Sequence, residues 1–397
     1  MSLIVVLICA SAQSFVQNYI IFYPSGYSGL NILPAFPLKL CAKHSVFCAI
    51  RTIFVRNPFK MKETLSSIAA RTGYSISTVS RVLSGQAEKY RISRKACKEI
   101  MEDAGKCSYS PNIIARNLRT NRTNTIGLIL PSVANPYFAD LSSVIISEAH
   151  RNGYTTIVTD SMENEDNQQA NTAMLLSRRV DGIIAVPCGS SPTLFEEINK
   201  TSIPVILVDR PLKDSQLPFV TTNNYTGGCK AANLLIRNGH KRIACIQGVR
   251  TSIPNTKRVA GYTDAMKKAG LDENIMVVGN EFSLQNGYLE TRLLLNGNRI
   301  PTAIFALSNT IGLGAMKAIR ESGLRIPEDI SLIVYDNNIY MDYLAPPVTR
   351  ISQPVEEMGK LAAKLLFESV ESGKRLSTQI ELSPELIIRE SVMNLMP

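Results

Sequence analysis

The stretch SSIAARTGYSISTVSRVLSG, residues 66–85, holds two helix-sized segments separated by a few residues. Thr64, just upstream, is placed to cap the first, whose apolar residues Leu65, Ile68 and Ala69 recur at helical spacing and which Gly73 ends. Ser75 then caps a second helix. Two short helices so closely joined, the first closed by glycine, fit helix-turn-helix geometry. In the second, Val79, Val82 and Leu83 make the stripe that packs on the first, while Ser77 and Arg81, four apart, lie together on the other side. The outward set Ile76, Ser77, Thr78, Ser80 and Arg81 is short enough to approach a duplex closely, and Arg81 offers a fork suited to the O6/N7 pair of guanine. A third helix is expected from the cap Ser93 through RKACKEIMEDAG, with Ala96, Ile100 and Ala104 as its packing stripe.

Charge supports the same division. Residues 1–60 carry five Lys/Arg and no acid, residues 61–124 carry twelve against five, and residues 125–397 carry 26 against 28, or +5, +7 and −2. A short basic module ahead of a large, nearly neutral body suggests a polyanion-binding head on a domain with another task. At 397 residues the chain is long enough for two or three domains. It lacks the ~20 uninterrupted apolar residues of a membrane span. The eight cysteines show no CxxC spacing, so neither a zinc site nor a disulfide framework is supported, and they read as free thiols in a reducing compartment. MSLIVVLICASAQS has the apolar run of a signal peptide without its basic start. Residues 1–60 are therefore expected to be upstream reading frame, with the working protein starting at Met61.

TVSRVLSG, preceded by SSIAARTGYS and followed by YSPNIIARNLRTNRTNTIGLILP, resembles the N-terminal region of the lactose-repressor and purine-repressor family of bacterial transcription regulators, and the resemblance continues to the end of the chain. It implies that Ile76, Ser77 and Arg81 read the major groove. Ile76 departs from the polar residue frequent there and suits a thymine methyl or simple packing. The link RVLSGQAEKYRIS is about three residues longer than the family pattern. SPNIIARNLRTNRTN is too short for a stable isolated helix. The resemblance implies a hinge helix ordered when a dimer pairs it across the minor groove, with Leu118 as the wedge that kinks the duplex. Ala115 then permits close approach, and Arg116 and Arg119 meet phosphates.

From Thr125 the pattern changes to short apolar runs alternating with helix-length segments. TIGLILP, YTTIVTD, VDGIIAVP, IPVILVD, RIACIQG, IMVVG, TAIFALS and ISLIVYD read as buried parallel strands. The expected fold class is α/β: a three-helix head followed by two doubly wound lobes, similar to periplasmic sugar-binding proteins, with a ligand in the cleft beyond the strand ends. The expected divisions are 61–110 for the head, 111–124 for the hinge and 125–397 for the effector-binding body. Its first lobe is expected at about 125–221 plus 330–353 and its second at about 222–329 plus 354–397, the chain crossing three times.

The resemblance carries ligand contacts onto Tyr137, Phe138, Asp160, Asp209, Arg258, Asn309 and Asp336, most of them at strand ends. Asn309 stands where the family has Asp, Asn223 likewise, and Val334 replaces a customary glycine. Losing a negative charge at 309 leaves Arg258 less neutralised, so an effector with an acid group is expected: a sugar acid or sugar phosphate, beside plain sugars and ahead of a purine. No P-loop, GxGxxG, HExxH or GxSxG is present, and His150 and His240 read as capping or solvated, so no enzyme, cofactor or metal is indicated. The expected protein is a cytoplasmic, nucleoid-associated regulator, homodimeric with a tetramer as the alternative, binding an operator on double-stranded DNA and a small effector. Its rival is an exported sugar-binding protein, which has no use for a helix-turn-helix.

Overall fold

The computed structural model describes residues 19–22, 31–34, 63–107 and 122–396. Within the first sixty residues this covers one antiparallel pair, β1 (Tyr19–Phe22) and β2 (Asn31–Pro34), with Ile20 opposite Leu33. The remainder of 1–60, and the hinge residues Ala115, Arg116, Leu118 and Arg119, lie outside the described residues. The chain divides into two compact units at Asn112 and Ile113.

The head is built from α1 (Leu65–Thr72), α2 (Ile76–Leu83) and α3 (Arg94–Lys106). Local chemistry sets each start. Thr64 accepts from the amide of Ser67, Ser75 from Thr78 and Ser93 from Ala96, while Gly73 ends α1 at φ 75°, a conformation glycine adopts without steric cost. Ile68, Val79, Val82, Ile100 and Ala104 close one small core. Arg71 fastens α1 to α3 by forking onto Asp103, with Glu63 on its other nitrogen. The long link after α2 turns back on itself, the Gln86 amide donating to Arg81 and Ile92 to Ala87, and lays Tyr90 under the Arg81 guanidinium at 3.9 Å.

The body holds two six-stranded sheets. The first contains β3 (Thr125–Leu130), β4 (Thr155–Asp160), β5 (Gly182–Ala185), β6 (Val205–Val208), β7 (Phe219–Thr222) and β13 (Gln379–Leu382), ordered β13-β7-β6-β5-β3-β4 and parallel throughout. The second contains β8 (Ile243–Ile246), β9 (Met276–Val278), β10 (Ala303–Ala306), β11 (Ser331–Tyr335), β12 (Thr349–Ser352) and β14 (Glu385–Ile387). Its order is β14-β12-β11-β10-β8-β9, with only β14 antiparallel. Helices cover both faces of each sheet, so the inner strands β3, β5, β6, β8, β10 and β11 are buried on both sides, whereas the edge strand β13 alternates. On the first sheet, Leu141 and Ile145 of α4 (Pro136–Arg151) meet Ile126 and Ile206, and α5 (Glu165–Ser177) and α6 (Thr193–Lys200) fill the other face. The second is covered by α7 (Asn224–Arg237) with α8 (Ile253–Lys268), and by α9 (Leu284–Leu295) with α10 (Asn309–Glu321).

The expected lobe boundaries need correction. Residues 330–353 belong to the second lobe, because β11 pairs with β10 from Ala303↔Ser331 onward and β12 pairs with β11. Helix α11 (Val355–Ser372) instead returns to the first lobe, where Met358 and Leu366 join its core, and β13 extends the first sheet beside β7. The chain crosses three times, after β7, after β12 and after β13. Val334 is accommodated by Gly312 on α10, whose missing side chain leaves the space that the valine methyls fill.

His240 is not solvated. It is buried, with Nε2 donating to the Met393 carbonyl at 3.1 Å, which leaves Nδ1 of the neutral ring to accept from the Thr302 hydroxyl at 3.0 Å. Burial lowers its pKa below the ordinary 6.5. The unfolded chain therefore takes up the proton first on acidification, so the stabilisation is complete above about pH 6.5 and is lost as pH falls through the folded-state value. Thermal midpoints measured from pH 8 to 5 should fall on the acid side, and His240→Gln should flatten that fall; an unchanged pH slope would contradict the assignment.

Candidate functional site

The cleft of the body forms where the strands of both sheets end. After β6 and after β11 the chain turns through left-handed residues at equivalent places, Asp209 at φ 66° and Asp336 at φ 80°. Non-glycine residues rarely hold that conformation, and such strain persists where the surroundings fix it. Each turn sends a carboxylate inward, and both are buried. Tyr137, at the start of α4, donates its hydroxyl to Asp209 at 2.7 Å, and Phe138 packs edge-on against it at 5.1 Å. Asp336 accepts from the Gln353 amide at 2.8 Å and the Asn309 backbone at 3.3 Å.

Arg258 enters from α8. Its Nε donates to Asn224 at 2.7 Å, one terminal nitrogen donates to the Leu307 carbonyl at 2.8 Å, and its plane lies 3.6 Å from the centre of the Tyr335 ring. Glycines put it there. A side chain at Gly228 would overlap the Arg258 carbonyl, and one at Gly261 would overlap the Tyr225 carbonyl, so α7 and α8 pack backbone against backbone. Burial raises the pKa of Asp209 and of Asp336, and the positive charge of Arg258 opposes that rise at both. Asp209 and Asp336 thus lie within electrostatic reach of Arg258, although among the described residues neither forms an ion pair with it.

Tyr137, Phe138, Asp209, Arg258 and Asp336 line one cavity of about 30 Å³, room for a water rather than a sugar ring. Asn309 lies beside it as a latch between lobes, its amide donating to Asn135 on the first lobe at 3.1 Å and to Asn338 on its own at 2.8 Å. Asn338 reaches across in turn to Asp140 at 3.2 Å. Asp160 does not line this cavity: its carboxylate takes the amides of Val133 and Met162 and anchors a loop. Sequence reasoning missed Arg210, Ser252, Phe282 and Gln353, which also line it, together with Asn135, Pro254 and Ser308. Arg210 follows Asp209 directly, is buried, and holds Glu163 by two bonds of 2.7 Å while lying between the rings of Phe138 and Phe282.

On the head, Ile76, Ser77 and Arg81 are exposed, and Ile76 presents 51% of its surface. Thr78 and Ser80 are half-buried. The hydroxyls of Ser77 and Thr78 each sit 2.8 Å from the Ser75 hydroxyl, so the cap and the first turn share one network. Among the described residues no group of His, Cys, Asp and Glu could hold a metal, and no helix is long and apolar enough to cross a membrane.

Residues 232–392 match the model of the periplasmic binding protein-like domain. The chain is 33% identical over 338 residues to the HTH-type transcriptional regulator DegA of Bacillus subtilis, covering 83% of this chain and 98% of the relative. With the HTH-type transcriptional repressor PurR of Pasteurella multocida it shares 34% over 333 residues, at the same coverage. The chain belongs to the lactose-repressor and purine-repressor family. Family membership makes it a DNA-binding transcriptional regulator, and its relatives are regulators rather than enzymes. Among solved structures, the transcriptional regulator CelR in complex with cellobiose is 26% identical, with a TM-score of 0.62 over 83% of this chain and 99% of the other.

The glycine contact is open to a direct check. Gly228→Ala should force α7 from α8, costing about 1–3 kcal/mol by overpacking and lowering the thermal midpoint of the protein. An unchanged midpoint would show that Arg258 does not depend on this contact.

Proposed function

We propose that the protein is a ligand-responsive repressor of carbohydrate-metabolism genes, acting in the cytoplasm on nucleoid DNA as a homodimer, with a tetramer as the alternative. The head at 61–110 places Ile76, Ser77, Thr78, Ser80 and Arg81 against successive major grooves of a pseudo-palindromic operator. The hinge at 111–124 pairs with its symmetry mate in the minor groove, where Leu118 parts a base step and Ala115, Arg116 and Arg119 follow the backbone. The body at 125–397 takes a sugar-like effector between its lobes.

The observation that carries this reading is the chemistry of the cleft. Two carboxylates buried at strand ends and an arginine buried on α8, all beside Tyr137 and Phe138, match a ligand with hydroxyl groups on an apolar ring face. The cellobiose held by CelR supports the same ligand class. A cavity of about 30 Å³ requires the lobes to part before a sugar enters, breaking the bonds from Asn309 to Asn135 and from Asn338 to Asp140. A ligand that binds one lobe arrangement better than the other then shifts the population, and the two hinge attachments of a dimer move with it.

The reading is tested by selecting genomic fragments on the immobilised protein and screening sugars for release or retention of the selected operator. Release or retention by a sugar supports it; response only to a purine would replace the effector class. Leu118→Ala should weaken operator binding by about tenfold or more while leaving non-specific binding nearly unchanged. Equal loss on both would count against the wedge.

A further inference from the structure

The cleft continues outward into a second chamber of about 630 Å³, and Arg210 and Ser252 line both chambers. Charge distinguishes the outer one. Lys213, Arg250 and Lys257 line it, all three are exposed, and among the described residues none of them enters an ion pair. Glu163 and Glu165 share the wall, but Glu163 is engaged by the fork of Arg210. Three cations therefore face one remaining carboxylate, Glu165.

A second observation points the same way. The sixteen-residue helix α8 opens on this chamber with its N-terminus, where backbone amides and the helix dipole favour an anion. Its N-cap residue does not cap it. Ser75, Ser93, Ser283 and Ser308 all accept from their helix amides, whereas Ser252 makes no such bond. The Ser252 hydroxyl has no hydrogen-bond partner although the residue is only 8% exposed. A buried hydroxyl without a partner carries a desolvation cost that an incoming acceptor removes.

The geometry points to the outer chamber as the subsite for the phosphate monoester of a phosphorylated sugar whose ring lies in the inner chamber. Ser252, shared by both, meets the ester, the N-terminus of α8 receives the phosphate oxygens, and Lys213, Arg250 and Lys257 balance its charge. Phosphate fits better than a carboxylate because three cations and a helix terminus oppose Glu165 alone, a surplus that suits a dianion. This rests on the carbohydrate-effector reading and narrows it.

The test uses the full-length chain in phosphate-free buffer, beside the double variant Arg250→Ala/Lys257→Ala. Both positions are exposed, so the ligand-free thermal midpoint of the variant should match the parent and serves as the folding control. Glucose, fructose and ribose are titrated by calorimetry, each beside its terminal phosphate monoester, with glucuronate as the carboxylate comparison. One ester should bind at least about tenfold more tightly than its parent sugar, and the variant should lose that margin while keeping its affinity for the parent. Inorganic phosphate should raise the thermal midpoint of the wild type and not of the variant. Parent sugars that bind as tightly as their esters, with phosphate inert, would overturn the subsite and leave the carbohydrate reading standing. Glucuronate matching the best ester would overturn the choice of phosphate. If no sugar binds in either form, the carbohydrate reading fails, and phosphate decides the subsite alone: a shift that depends on Arg250 and Lys257 supports it, and no shift overturns it.

Discussion

Burying Asp209, Asp336 and Arg258 in one cleft is the constraint on which the body depends. An ionised side chain out of water is costly unless it is paired or hydrogen-bonded, and each of these three has a polar partner, Asp209 lying also 3.9 Å from Arg210 Nε. Asp209 takes the Tyr137 hydroxyl, Asp336 takes Gln353 and the Asn309 amide, and Arg258 spends its donors on Asn224 and Leu307. The groups come from both lobes and from the crossing segment after β12. Any ligand that displaces part of this network must replace its hydrogen bonds, which makes the cleft selective for polar, well-matched partners.

The same network explains how a small ligand could have a large effect. The two lobes meet through a few polar bonds at Asn135, Asp140, Asn309 and Asn338, with Arg210 bridging the rings of Phe138 and Phe282. Such contacts are individually modest, so the balance between lobe arrangements is sensitive to a few kcal/mol of differential binding. The left-handed turns at Asp209 and Asp336 keep the carboxylates fixed to the ends of rigid strands.

What the sequence revealed follows the range of the forces involved. Helix starts in the head were legible because Thr64, Ser75 and Ser93 act on amides three residues away. Eight body strands were legible as apolar runs, whereas β7, β12, β13 and β14 were not, their short and partly polar sequences (FVTT, TRIS, QIEL and ELI) carrying no such run. Lobe membership was not legible, since the place of β11 and β12 depends on pairing with β10 and that of α11 on a core whose other residues lie between Ile126 and Val220, far earlier in the chain. Tyr137, Asp209, Arg258 and Asp336 were found at strand ends and helix starts, and the structure brings them together. Asp160 satisfied the same pattern but serves loop amides, because a carboxylate after a strand suits either task. Ser252 was missed because its significance lies in a bond it does not make, and no spacing rule reports that.

The central claim is that the cleft and the DNA-binding head share one equilibrium. Linkage requires that coupling be reciprocal, so the most direct measurement is the affinity of the effector with and without saturating operator DNA, beside operator affinity with and without effector. The account predicts the same factor in both directions, and its loss in Arg258→Ala. Effector affinity indifferent to operator would show that the cleft binds its ligand without instructing the head.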